Sequence, residues 1–158
     1  MKHLSLIMIS ILLYLAVGTA RSNSIDEAST AQRIVVLNES EGIVYAHFCA
    51  FYELRALIAD GLSGAKEDEV GLSSPMYELR MLSRSGESTV YIGDHWIQSS
   101  DGMFSLSSEV FERIVELVSS REGRGIPLSK VEAYNAKAIR QFRRPDYKED
   151  NRCLRSVR

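Results

Sequence analysis

The residues equipped for chemistry are few. The chain has three histidines, of which His47 and His95 lie beyond its first twenty residues, and two cysteines, Cys49 and Cys153. His95 stands in Gly93-Asp94-His95-Trp96, where a carboxylate, an imidazole and an indole follow one another. A carboxylate–imidazole pair can activate a hydroxyl as a nucleophile, and that chemistry would make a small hydrolase. Neighbours on an extended strand point to opposite sides, so Asp94 and His95 would need a bend to pair. Serines are plentiful, but none sits in a Gly-x-Ser-x-Gly turn. The sequence therefore nominates no catalytic set.

The same residues have two other uses. His95 could be a strand-end histidine beside a tryptophan that anchors a hairpin. Alternatively, Asp94, His95 and Trp96 form a recognition turn, because an exposed Trp among polar neighbours suits a protein contact. This turn is the candidate binding site.

Metal and cofactor signals are absent. His47, Cys49, His95 and Cys153 could gather around zinc, yet no Cys-x-x-Cys or His-Glu-x-x-His spacing occurs. Glu67-Asp68-Glu69 has the charge of a calcium loop without its alternating ligands. No Gly-rich phosphate loop is present. The expectation is no metal and no cofactor.

The cysteines read differently once the N-terminus is considered. Met1-Lys2-His3 is basic, Leu4–Val17 is a 14-residue apolar run broken by two serines, and Gly18-Thr19-Ala20 offers small residues for cleavage. Those three parts in that order describe a secretory signal. Spanning a membrane takes about 20 apolar residues, so a permanent anchor is disfavoured. No later stretch is apolar enough to span. Residues 1–20 are thus expected to be removed and the rest to be periplasmic or secreted. In an oxidising compartment two cysteines invite one bridge, Cys49–Cys153. Closing a loop of about 100 residues contributes about 4–5 kcal/mol in the chain-entropy account. The competing reading buries Cys49 as an apolar residue within Phe48-Cys49-Ala50-Phe51.

Charge is unevenly placed. Residues 22–120 hold six Lys/Arg against sixteen Asp/Glu, whereas residues 121–158 hold eleven against five. An acidic body argues against nucleic acid as a partner. The basic end either contacts an acidic surface or folds back on the acidic body.

The elements that must position these residues follow from periodicity. Residues 21–32 are small and polar and read as a flexible lead-in. Arg33–Leu37 is a short strand or a helix start. Ser40 could cap a helix over Ile43–Leu62, whose Val44, Phe48, Phe51, Leu54, Leu57 and Ile58 share one face, although Ile43-Val44-Tyr45 could instead extend a hairpin. Residues 63–74 read as a surface loop. Met76–Ser83, Ser88–Ile92, His95–Gln98 and Met103–Leu106 alternate between turn signals and predict a meander of three to four antiparallel strands. Ser107 caps a helix at Ser108–Ser119. Residues 121–127 read as a linker. Ser129-Lys130-Val131-Glu132 reads as a capping box for a helix to Phe142, ended by Pro145.

The composition, 45% hydrophobic and 25% charged, is that of a globular chain rather than a disordered one. The fold class is α+β: a small antiparallel meander with two to three helices packed on one face, as one domain over 33–145, with a basic tail at 146–158. Asn38-Glu39-Ser40 also has the form of a glycosylation acceptor. The function expected from this set is an exported accessory, inhibitor or immunity-type module acting by contact with a protein partner, not an enzyme. The alternatives are a small exported hydrolase using His95 and a secreted effector.

Overall fold

A computed structural model of the chain describes residues 23–46, 49–67, 73–120 and 123–148. They form an α+β architecture of four helices and an antiparallel sheet. In chain order the elements are α1 (Ser24–Thr30), β1 (Arg33–Leu37), β2 (Glu41–Tyr45), α2 (Cys49–Leu62), β3 (Lys66–Glu67), β4 (Tyr77–Leu82), β5 (Glu87–Gly93), β6 (Trp96–Ser99), β7 (Gly102–Ser105), α3 (Ser108–Ser119), β8 (Arg124–Pro127) and α4 (Leu128–Phe142). The strands lie in the order β3-β7-β6-β5-β4-β1-β2-β8.

The meander β4–β7 stands where alternation and turn residues place it. Tyr77, Leu79 and Met81 share one face, packed with the main core. The sheet then extends past the meander on both sides. On one side Tyr77–Leu82 pairs with β1, β1 with β2, and β2 with β8. On the other, β3 pairs with β7. Ile43-Val44-Tyr45 is therefore strand, and the helix read over Ile43–Leu62 is shortened to Cys49–Leu62. The cause is local. Asn38 Oδ1 accepts from Ser40 N at 2.9 Å, Ser40 Oγ at 3.1 Å and Glu41 N at 2.9 Å. That side chain closes the β1–β2 turn, so Ser40 serves a hairpin and not a helix.

Three further readings are corrected. Residues 23–32 are not a loose lead-in: Asn23 caps α1 through Ile25 N, and Ala28 and Ala31 are fully buried. The stretch read as a linker contains β8. The capping box at Ser129 does not form, since α4 starts at Leu128 behind Pro127 with no side-chain cap bond. By contrast Ser107 caps α3 as expected, accepting from Val110 N at 3.3 Å.

The largest departure is in the layers. All the helices were expected on one face. Ile34, Ile43, Leu79, Val90 and Ile97 do point to one side, where α1, α2 and α3 cover them with Ala28, Phe51, Leu54, Ile58 and Ile114. Val35, Val44, Leu82 and Ile126 point to the other, where α4 sets down Val131, Ala138 and Phe142. The strands β1 and β2 are apolar on both faces, so a one-sided cover would have left Val35 and Val44 in water. Fully burying each of these contributes about 1.5–3 kcal/mol. Beyond β4 this second face turns polar, with Thr89, Tyr91 and Gln98 half-buried.

No described helix is long and apolar enough to cross a membrane. Residues 1–20, with the expected export signal, lie outside the described residues, as do His47, Cys153 and most of the basic tail.

Candidate functional site

The expected recognition turn joins β5 to β6. Gly93 and Trp96 are paired across it, leaving Asp94 and His95 at the tip. A side chain at Gly93 would bring its Cβ within 2.0–2.3 Å of the Trp96 ring atoms, so the indole lies directly against the glycine. Trp96 is only 5% exposed, and its Nε1 faces Ser73 Oγ at 3.4 Å. Its ring anchors the hairpin. Asp94 and His95 are the exposed members of the trio.

His95 takes φ +62°, the only positive value at a non-glycine among the described residues. Few side chains adopt this left-handed region, though His is among those enriched there. The conformation supplies the bend that an extended strand lacks. His95 Nδ1 comes to 2.7 Å from Asp94 Oδ1. Its other nitrogen, Nε2, lies 3.3 Å from Ser108 Oγ at the first residue of α3. Phe111, one turn further along α3, sets its ring 4.6 Å from the imidazole. The backbone is held too, because Leu106 N donates to His95 O at 2.8 Å.

The chain finds no match among known protein families, curated proteins or solved structures.

Ser108 was not singled out by sequence reasoning as a partner for His95. The available signal was indirect: a helix start thirteen residues after a turn histidine, across one short hairpin. Cys49, expected to be buried or bridged, is exposed at the first position of α2, and no cysteine among the described residues is free. Its expected partner Cys153 lies outside the described residues. Among those residues no cluster of three His, Cys, Asp or Glu has the geometry of a metal site.

A second candidate surface follows from the two helical layers. Helices α1–α3 carry Asp26, Glu27, Glu53, Asp60, Glu109, Glu112 and Glu116 against Arg55 and Arg113. On the opposite side of the sheet, α4 and the residues after it carry Lys130, Lys137, Arg140, Arg143, Arg144 and Lys148 against Glu132 and Asp146. All six cations are exposed. Among the described residues none is in an ion pair; the bridges there are Arg80 to Glu78 and Glu87, Arg113 to Glu53 and Glu116, and His95 to Asp94. Arg143 instead donates to the carbonyls of Arg84 at 2.9 Å and Ser85 at 3.3 Å. The sheet thus stands between the two charged layers, and the helical part of the basic end does not fold back on the acidic helices.

Proposed function

We propose that the protein is an exported accessory module that engages an acidic surface of a partner protein through the outer face of α4. The observation that carries this reading is the separation of charge: six exposed cations on one side of the sheet, seven carboxylates on the helices of the other. A face of one sign speeds encounter with a partner of the opposite sign and orients it. Salt would weaken such a contact, because exposed charges are screened beyond about 8–10 Å at physiological ionic strength.

Export belongs to the same reading, supported by the basic, apolar and small-residue order of residues 1–20. So does the Cys49–Cys153 bridge, supported by the exposed position of Cys49 and by the absence of a free cysteine among the described residues. The bridge would tie the end of the basic segment to the start of α2.

The test is capture. The full chain, tagged and produced with its own N-terminal segment, is recovered from medium and envelope fractions without reductant. One stoichiometric protein is expected to co-purify, to be released at about 0.5 M salt, and to be lost in the triple variant Lys137→Glu, Arg140→Glu, Arg144→Glu. A partner retained by that variant would move the contact elsewhere. No partner at all would remove the binding reading.

A further inference from the structure

We propose that Asp94, His95 and Ser108 constitute a nucleophilic site for hydrolysis of small carboxylic esters, separate from the α4 face. The order of the three groups carries the inference. A carboxylate can only accept, so the hydrogen between Asp94 and His95 sits on Nδ1. In the neutral imidazole that leaves Nε2 as an acceptor, and the group it faces is the Ser108 hydroxyl. A carboxylate fixing the tautomer, an imidazole as base and a serine within its reach are the parts of an activated hydroxyl nucleophile, recognised by geometry and not by sequence order.

His95 is also held from three directions. Phe111 packs on its ring, Leu106 N binds its carbonyl, and Asp94 fixes Nδ1. A left-handed backbone at His95 is a conformation that Gly or Asn adopts at less cost, yet His occupies it.

Donors for a developing oxyanion stand beside the nucleophile. In the first turn of α3, Val110 N is taken by Ser107 Oγ and Phe111 N by Ser107 O. The N–H groups of Ser108 and Glu109 have no acceptor within the helix, as at any helix start. In the proposed site these two N–H groups serve the oxyanion formed when Ser108 attacks a carbonyl. A groove of about 420 Å³ between the end of α2 and the start of α3 begins at the preceding residue. Gly61, Gly64, Leu106, Ser107 and Val110 line it. The side chains of His95 and Asp94 are 48% and 68% exposed, so the site is open to water. Slow turnover follows from that openness, since electrostatic stabilisation gains most where water is excluded.

The step balances without a cofactor. Ser108 Oγ bonds to the ester carbonyl carbon as its proton passes to His95 Nε2. The carbon–alkoxy bond breaks, and the alcohol leaves with that proton. Water then attacks the acyl-serine, gives a proton to Nε2, and frees the acid with return of the proton to Ser108.

The experiment treats the full chain with a fluorophosphonate probe and maps the labelled peptide by mass. Covalent addition at Ser108 is expected, absent in Ser108→Ala and slowed on the order of 100-fold or more in His95→Asn. Asn is chosen because it tolerates the positive φ and keeps the turn folded. An unlabelled Ser108 would overturn the proposal, and so would labelling of equal rate in His95→Asn. Labelling undiminished by the α4 charge reversal is expected, which keeps the two readings apart.

Discussion

The indole of Trp96 lies across Gly93 so closely that even a methyl group at Gly93 would stand 2.0–2.3 Å from its ring. Real contacts of that length do not exist, so Gly93→Ala must expel the indole. It would lose a buried aromatic and reshape the Asp94-His95 tip. A loss on the order of 3 kcal/mol is expected, comparable to truncating a large buried aromatic. Chemical unfolding monitored by the intrinsic fluorescence of this single Trp measures it, and a red-shifted emission in the folded variant reports the expelled ring.

A second close approach fixes α4. At Gly42 on β2, an added Cβ would meet Val131 of α4 at 3.0 Å and Val35 of β1 at 3.1 Å. Arg33 reinforces the same seam: its guanidinium lies 5.2 Å from the Phe142 ring centroid and donates to Tyr134 Oη at 3.0 Å. Gly42→Leu is expected to lift α4 from the sheet at a cost of about 1–3 kcal/mol. Hydrogen exchange should then quicken in α4 while α2 and α3 keep their protection. Uniform loss across all helices would show that the two faces of the sheet unfold as one unit.

How much of this was legible from residues alone depended on where the signal was local. The β4–β7 meander and α3 could be read because strict alternation, Asp101-Gly102 and the Ser107 cap are written within a few positions. The segment Ile43–Tyr45 was ambiguous because an apolar triplet suits a buried strand and a helix equally. What decides it is the Asn38 side chain, whose bonds to Ser40 and Glu41 make the hairpin. The opposite placement of α4 was recorded in Val35 and Val44, which alternate with Ile34, Val36, Ile43 and Tyr45 to make both faces apolar. Strands apolar throughout need cover on both sides. The pairing of Asp94, His95 and Ser108 could not be read, because it rests on one left-handed residue and on how the hairpin meets α3.

Tyr45 illustrates a buried polar handle that joins sheet to helix. Its ring is almost fully buried, and its hydroxyl donates to the carbonyls of Leu117 at 3.1 Å and Val118 at 3.3 Å at the end of α3. Those carbonyls lie in the last turn, where helix amides run out, and Leu117 O also accepts from Ser120 Oγ at 2.7 Å. Tyr45→Phe keeps the ring and removes the donor. The expected loss is about 1–2 kcal/mol, read from denaturant midpoints at unchanged slope. A change under about 0.3 kcal/mol would mean that water replaces the hydroxyl.

The contact of α2 with α3 should carry a pH signature. Arg113 forks onto Glu53, Nε to Oε1 at 2.5 Å and Nη2 to Oε2 at 3.0 Å, and reaches Glu116 with Nη1. The hydrogen bonds from Arg113 hold the Glu53 carboxyl below its ordinary value of 4.5; partial burial opposes this and the Arg113 charge assists. Because the folded value is depressed, the stability from this pair is complete above the unfolded value. It is lost as the pH falls through the folded one. Arg113→Met should therefore lower Tm at pH 7 by a small amount, on the order of 1–3 °C for an exposed fork. The difference from the parent protein should shrink as the pH falls below the ordinary carboxyl value and Glu53 takes up its proton in the folded state. Parallel melts of the two proteins across that range supply the measurement. A gap that stays constant from neutral to acid pH would show that Arg113 acts through the packing of its aliphatic stem, not through Glu53.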